Sequence, residues 1–424
     1  MIDIGQIRSN PELYERTAKW KGIGFSVERL LETDDKRRQL VREVEPLRAL
    51  RNRLSEDIPA LLREGRNGEA EGKKKQAVAV KEKLAELEAR LQAVEREFEQ
   101  LMLLVPNPVS ADTPIGASDK DNVQLRTAGR LPAFDFEPKD HIALGTSLRL
   151  LDLERGVKIA GSRNYVLTGM GLHLHRAVQQ LAIDLLCERG YTAMDVPLMV
   201  GKDTLVNSGF FPTGVEQTYA VHGEDKWLVG TSEASLIAYY GNEIVDVGAP
   251  IRLAAVSNCF RKEVGSAGRD VQGLYRVHQF AKVEQVIICK ADPAIAEELH
   301  AEITRNAEEL LELLELPYRV VAVCTGDMSQ KNHKQYDIET WMPSRGGYGE
   351  THSSSSLLDF QARRSNIRYR DETGALRYCY TLNNTAVASP RILIPLLEIH
   401  QRQDGSVRIP KALQKYMMGA EIIS

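Results

Sequence analysis

The stretch Phe260–Glu284 holds the densest set of residues able to do chemistry. Arg261 and Glu263 stand two residues apart, so on an extended strand both side chains share one face. Further on, Val277, Gln279, Ala281 and Val283 alternate with His278, Phe280, Lys282 and Glu284, which puts Phe280 and Glu284 on one face. A hairpin built this way offers an arginine, an aromatic ring and two carboxylates to one pocket. Such a pocket suits a ligand with a phosphate, a flat base and an amine. A surface hairpin with ordinary charges is the competing interpretation, and for a lone hairpin it is the commoner one.

Three other groups carry chemistry. In Gly230-Thr231-Ser232-Glu233-Ala234-Ser235, Thr231 and Glu233 share a face if the segment is extended, and a hydroxyl with a carboxylate can hold a small ligand bearing an ammonium. A plain helix N-terminus, with Thr or Ser as cap and Glu in the first turn, explains the same residues. In Glu350-Thr351-His352-Ser353-Ser354-Ser355-Ser356, a carboxylate and a nearby hydroxyl can ligate Mg²⁺, which also takes phosphate oxygens. The serine run by itself has the composition of a loop, and His352 beside it is weak evidence for a Ser–His pair. In Leu382–Arg391, small residues precede an arginine at a helix start, where Arg391 would meet phosphate or form a surface salt bridge.

These groups need elements to position them. With 424 residues the chain has room for more than one domain, and 43% hydrophobic with 27% charged residues is ordinary for a soluble protein. No stretch has the apolar length of a membrane span, and Met1-Ile2-Asp3-Ile4-Gly5 lacks the start of a signal peptide. Five scattered cysteines (Cys187, Cys259, Cys289, Cys324, Cys379) with no C-x-x-C pair argue against a disulfide framework or a cysteine zinc site; they fit a reducing cytoplasm. The net charge of −4 requires any nucleic-acid footprint to be local.

Residues 1–32 read as a helical lead-in. Thr33-Asp34-Asp35 is a plausible N-cap, after which Leu40, Val44, Leu47, Leu54, Ile58 and Leu61 recur at heptad spacing with Arg51 in one core slot. Beyond Gly65–Gly68, the residues Ala77, Val80, Leu84, Leu87, Leu91, Val94, Phe98, Leu101 and Val105 continue the seam. The pattern predicts an antiparallel coiled-coil hairpin over about 34–105 that projects as an arm, each helix roughly 45–50 Å long. Pro46 and Pro59 should kink or interrupt its first helix. Around the tip the arm is basic, with Arg48, Arg51, Arg53, Arg63, Arg66, Lys73, Lys74, Lys75 and Lys81 against five acids. A solvated coiled coil explains this as well as phosphate-backbone binding does. Pro106-Asn107-Pro108 ends the helical domain (1–108), 109–122 reads as a linker, and 123–424 mixes strands and helices. One amphipathic helix carries Leu174, Val178, Leu181 and Leu185, and an extended Tyr191–Pro197 follows it.

In order and combination these pieces resemble a known family. Arg189–Pro197, Phe260–Glu284 and the stretch through Arg391 resemble the three signature motifs of class II aminoacyl-tRNA synthetases. With the hairpin, Thr231-Ser232-Glu233 and Asp359–Arg364, nearly the whole chain resembles the bacterial-type seryl-tRNA synthetases. The resemblance implies an α+β catalytic domain, a mostly antiparallel sheet of six or seven strands flanked by helices, and a homodimer formed through the first motif. It implies serine activation by ATP and transfer to serine tRNA, with the arm embracing that tRNA's long variable arm, and selenocysteine tRNA where present. On the matching positions it implies ATP and Mg²⁺ without zinc. Arg261, Lys262, Glu263, Val277, Phe280, Glu350, Thr351, His352, Ser353 and Arg391 would bind ATP, with Arg261, Glu263 and Arg391 catalytic and Glu350 and Ser353 holding magnesium. Thr231, Ser232, Glu233, Arg261, Glu284 and Thr385 would bind serine, and the glycine-rich middle of the second motif would face the tRNA end. Gln272, Ala281, Ser356 and Ile399 depart from the family's usual Arg, Asp, Asn and Asn. A paralogue that hands serine to another acceptor, or a non-catalytic tRNA-binding relic, is the alternative, and the intact arm and the joint presence of the motif residues weigh against each in turn.

Overall fold

The computed structural model describes residues 1–265 and 272–424, which fall into two units, Met1–Pro106 and Asn107–Ser424. The first is helical: α1 (Ile4–Ser9), α2 (Pro11–Trp20), α3 (Val27–Arg63) and α4 (Asn67–Leu104). The apolar seam packs α3 on α4, with Leu40, Val44, Leu84, Leu87 and Leu91 in one buried cluster. Each such side chain contributes about 1.5–3 kcal/mol when fully buried. The turn between the helices uses Gly65 at φ 75°, where a side chain would be strained.

Three expectations for this hairpin are corrected. The first long helix starts at Val27, capped by Ser26, whose hydroxyl accepts from the Arg29 N–H at 3.2 Å. Thr33 and Asp34 lie inside it, because Asp34 is held by Arg8 and Arg37, each at 2.7 Å, and is not needed as a cap. Of the expected kink or interruption at Pro46 and Pro59, the interruption does not occur, since α3 runs through both. Arg51 is exposed and fills no core slot; its guanidinium turns to Asn52.

The second unit is built on an eight-stranded sheet, one or two strands more than expected. Its strands are β1 (Val123–Ala128), β2 (Thr192–Met194), β3 (Ile251–Phe260), β4 (Gln279–Cys289), β5 (Tyr318–Ala322), β6 (Lys334–Met342), β7 (Gly347–Leu358) and β8 (Tyr380–Ser389). They lie in the order β1-β5-β6-β7-β8-β4-β3-β2. All neighbours are antiparallel except the edge pair, β2 on β3. The site depends on helices α5 (His141–Ser147), α6 (Met170–Glu188), α7 (Glu233–Tyr239), α8 (Pro293–Leu313) and α9 (Leu393–Ile399). Val283 and Ile287 of β4 join Leu382 of β8 and Leu181, Ile303 and Leu310 of α6 and α8 in one buried core. The alternate residues of β4 therefore face the other way. The run 109–122 is hydrogen-bonded along the second unit, with Ser110 N–H to the His333 carbonyl at 2.9 Å.

Candidate active site

The outward face of β4 presents Phe280, Lys282 and Glu284 in strand alternation to a cleft of about 940 Å³, open solvent at its mouth included. That is room for a nucleotide and a small partner. Thr385 on β8 is the register partner of Glu284, and its hydroxyl is 3.5 Å from Glu284 Oε2. Lys282 and Glu284 form an ion pair in the middle of the sheet, both nearly sealed from solvent. Charges in a central strand cost stability even when paired, so they mark a site kept for something other than folding. Burial pushes the Glu284 carboxyl up; Lys282 pulls it down, Glu233 pushes it further up, and Lys331 opposes that.

Glu233 sits at the first position of α7. Its Oε1 accepts from Lys331 Nζ at 2.5 Å, Gln361 Nε2 at 2.6 Å and Asn383 Nδ2 at 2.9 Å. Three donors on one oxygen fix the carboxylate, and Glu233 lines the cleft. Thr231 precedes the helix and its Oγ1 accepts the Glu233 N–H at 3.2 Å. Of the two interpretations the residues allow, the segment is the helix N-terminus, and Thr231 and Glu233 both line the cleft.

Toward the outer end, strand β3 stops at Phe260. Arg261 and Glu263 share the cleft although the strand alternation expected to align them is absent. Glu263 has φ 51°, a left-handed conformation unusual for a residue with a side chain, and Arg276 meets it at 3.3 Å. The Arg261 guanidinium lies 5.3 Å from the Phe280 ring centroid and donates to the Gly230 carbonyl at 3.3 Å. Val277 is buried beside them. Arg391 follows β8 and precedes α9; it donates to the Tyr275 carbonyl at 3.0 Å and the Glu350 carbonyl at 3.1 Å, and Glu350 Oε2 is 3.6 Å away.

The segment Glu350–Ser356 is part of strand β7, not the loop its composition suggested. Thr351, Ser353 and Ser355 line a polar cleft, and the Ser354 hydroxyl on the other face meets Thr304 of α8 at 2.8 Å, which removes the usual reason for apolar alternation. Glu350, Thr351, His352 and Ser353 all line the cleft. Burial pushes His352 down to about 3, so it stays neutral and is too weak a base for proton abstraction near neutral pH. Asp337 on β6 pairs in register with Ser353, and burial with Glu350 nearby pushes its carboxyl up to about 8.

Two expected contacts do not reach the cleft through their side chains. The Ser232 hydroxyl is buried away from it, and the Lys262 ammonium lies over the Tyr219 ring at 5.8 Å. Conversely, Lys331, Asn383, Tyr275 and Arg276 line it without having been anticipated. The only sequence signal for Lys282 is its place in the strand alternation. For Lys331 and Asn383 no local signal existed. The glycine-rich middle of Phe260–Glu284 falls largely on 266–271, outside the described residues. In the helical unit, Arg48, Arg66, Lys73 and Lys74 are paired with acids of the hairpin itself. Arg51, Arg53, Arg63 and Lys75 are exposed with no acidic partner among the described residues.

Known proteins are similar to this chain over its whole length. Residues 1–109 match the seryl-tRNA synthetase N-terminal domain and residues 218–400 the class II core domain of tRNA synthetases for G, H, P, S and T. The serine--tRNA ligase of Deinococcus radiodurans is 43% identical over 424 residues, covering 100% of this chain and 99% of its own length. That of Rubrobacter xylanophilus is 40% identical, with 100% and 99% covered. The crystal structure of seryl-tRNA synthetase from Pyrococcus horikoshii complexed with ATP superposes with a TM-score of 0.88 at 36% identity, over 100% of this chain and 99% of that one. The cytoplasmic serine-tRNA ligase of Naegleria fowleri in complex with AMP gives 0.82 at 28% identity, with 98% and 96% covered. A cleft with two held carboxylates at its floor and two arginines at its mouth, on a chain matched end to end by these relatives, belongs to the seryl-tRNA synthetase family.

Proposed function

We propose that the protein is a serine--tRNA ligase: it joins L-serine to ATP as seryl-adenylate and passes the seryl group to serine tRNA. The observation that carries this reading is the division of one cleft. Glu233 and Glu284 sit at the floor and Arg261, Phe280 and Arg391 toward the mouth. An ammonium and a hydroxyl suit the floor, while phosphates and a flat base suit the mouth. The serine carboxylate is already ionised near neutral pH, so it attacks the α-phosphorus without a general base and pyrophosphate leaves. What remains for the protein is to fix geometry and to shield charge. Arg261 would meet the α-phosphate and Arg391 the γ-phosphate, with Phe280 on the adenine and Val277 beside it. Glu233, Glu284, Thr231 and Thr385 would read serine. Alanine would leave buried polar groups unpaired, which is how such a site rejects it.

Magnesium would be held by Glu350 and Ser353. The donors are hard oxygens, and Glu350 is 44% exposed at the cleft rim. No group of three or more His, Cys, Asp or Glu residues among those described could hold a metal alone. Mg²⁺ commonly takes one or two protein oxygens and the rest from phosphate and water. When bound, it would add charge neutralisation at the phosphates.

The hairpin cations Arg51, Arg53, Arg63 and Lys75 support contact with a tRNA backbone, the long variable arm being the partner of choice. Arg48, Arg66, Lys73 and Lys74 would join only by leaving their acids. Selenocysteine tRNA would be a second substrate where a cell makes it. Exposed Ile159 and Leu172, 75% and 40% accessible, support burial in a homodimer. No described helix is long and apolar enough to cross a membrane, and a cytoplasmic site of action is part of this proposal. The test is ATP–pyrophosphate exchange with serine, threonine and alanine in parallel. Exchange driven by serine alone is expected, and equal exchange with alanine would remove the serine assignment.

A further inference from the structure

Behind the mouth of the cleft lies a buried polar hub that none of the reacting groups explains. Glu398 on α9 has a fully buried side chain. It accepts from His141 N at 3.0 Å, His141 Nδ1 at 2.9 Å, Ser344 N at 2.9 Å and Ser344 Oγ at 2.8 Å. One carboxylate thus ties α5, the turn after β6 and α9 together. With Nδ1 donating to Glu398, the other ring nitrogen is an acceptor. His141 Nε2 takes the Leu274 N–H at 3.3 Å. Gly273 closes on the same ring: a Cβ there would stand 2.2 Å from His141 Nε2, and its φ is +71°. Only glycine fits a backbone pressed so near the imidazole.

The next residue connects this hub to the cleft. The Tyr275 ring carries the guanidinium of Arg391 at 4.6 Å and that of Arg345 at 4.2 Å from its centroid. Its carbonyl receives Arg391 Nε at 3.0 Å. Arg391 therefore takes its stacked partner and one of its two backbone acceptors, the other being the Glu350 carbonyl at 3.1 Å, from a residue whose backbone neighbour is fixed by His141.

We infer that His141 is a positioning residue for the nucleotide: the Glu398–His141 pair holds Gly273–Tyr275 in place, and Tyr275 in turn aims Arg391. The inference rests on reading the cleft mouth as an ATP site. It does not depend on the amino acid bound at the floor. Removing the imidazole frees the 273–275 segment and leaves Arg391 held from Glu350 alone, so its aim is loosened, while Glu233 and Glu284 keep their own partners.

The experiment is calorimetric titration of ATP into the full-length protein and its His141→Ala, His141→Gln and His141→Asn variants, with exchange kinetics alongside. In His141→Ala the Kd for ATP rises about tenfold, on the scale of one orienting hydrogen bond and its stack. The KM for serine stays within about twofold. Gln, with an amide donor for Glu398 and a carbonyl acceptor for Leu274, restores most of the ATP affinity. Asn places its amide N–H near the Nδ1 position for Glu398 but is too short to bring its carbonyl to the Leu274 N–H, and reads the same link should the alanine variant fail to fold. Unchanged ATP affinity in Ala or Asn, or equal losses for ATP and serine in every variant, overturns the inference. Wild type that binds ATP without serine-dependent exchange sinks the serine assignment alone, and the ratio of ATP affinities still decides the role of His141.

Discussion

Replacing Lys331 by methionine isolates the floor of the cleft. Methionine keeps much of the side chain's length and apolar volume but removes the ammonium, one of three donors on Glu233 Oε1. Lys331 and Glu233 are 11% and 5% exposed, so water does little to replace the missing partner. A hydrogen bond to a charged group contributes about 1.5–3 kcal/mol net. At about 1.4 kcal/mol per factor of ten, the KM for serine should rise roughly ten- to 150-fold. Gln361 and Asn383 remain on the same oxygen, so the fold should survive. A second signature follows from electrostatics. Lys331 holds the Glu284 carboxyl down while Glu233 pushes it up. Without Lys331 the Glu284 carboxyl titrates still higher. Serine's ammonium needs Glu284 ionised, so serine binding is lost as pH falls through that raised pKa, and in the variant the loss begins at higher pH. The assay is serine-dependent pyrophosphate exchange at several pH values, with ATP and serine varied separately. If the KM values for ATP and serine rise together, or serine's stays within about twofold of wild type, the account of the cleft floor is wrong.

Other outcomes test other parts of the account. Glu284→Gln should abolish most serine-dependent exchange and flatten its acid limb, while calorimetric ATP affinity stays near wild type; a preserved acid limb would assign that titration to another group. Alanine at Arg51, Arg53, Arg63 and Lys75 together should spare exchange but weaken charging and reduce its salt dependence, the slope of log K against log salt falling by up to about one for each phosphate no longer neutralised. Charging by this variant with wild-type salt dependence would remove these cations from the tRNA interface. Pro46→Ala restores a backbone donor inside α3 and should stabilise the helical unit by up to about 3 kcal/mol, seen as slower hydrogen exchange along α3. Faster exchange there would mean the proline is needed by the hairpin's packing.

Long periodic patterns and strand alternation were legible from the residues alone. The seam from Leu40 to Leu101 specified the helical hairpin, and the alternation Phe280, Lys282, Glu284 placed three cleft residues on one face. Where an element ends was less legible. Arg261 and Glu263 lie beyond the last residue of β3, and a left-handed φ at Glu263, not strand phase, turns it into the cleft. The caps at Thr33–Asp35 gave way to ion pairs from a helix 26 residues earlier in the chain. The serine run passed for a loop because the strand that carries it faces a polar cleft. The support of Glu233 was not legible at all. Its donors come from 98, 128 and 150 residues along the chain, and only the folded sheet brings them to one oxygen. Family resemblance supplied the candidate positions, while the residues that hold them in place came from geometry.

The most direct measurement is aminoacylation of serine tRNA by the full-length protein with ATP, magnesium and radiolabelled serine. The account predicts seryl-tRNA formation that requires all four components and stops when the long variable arm is deleted from the tRNA. Serine-dependent pyrophosphate exchange without any charging would contradict it, because activated serine would then have another acceptor.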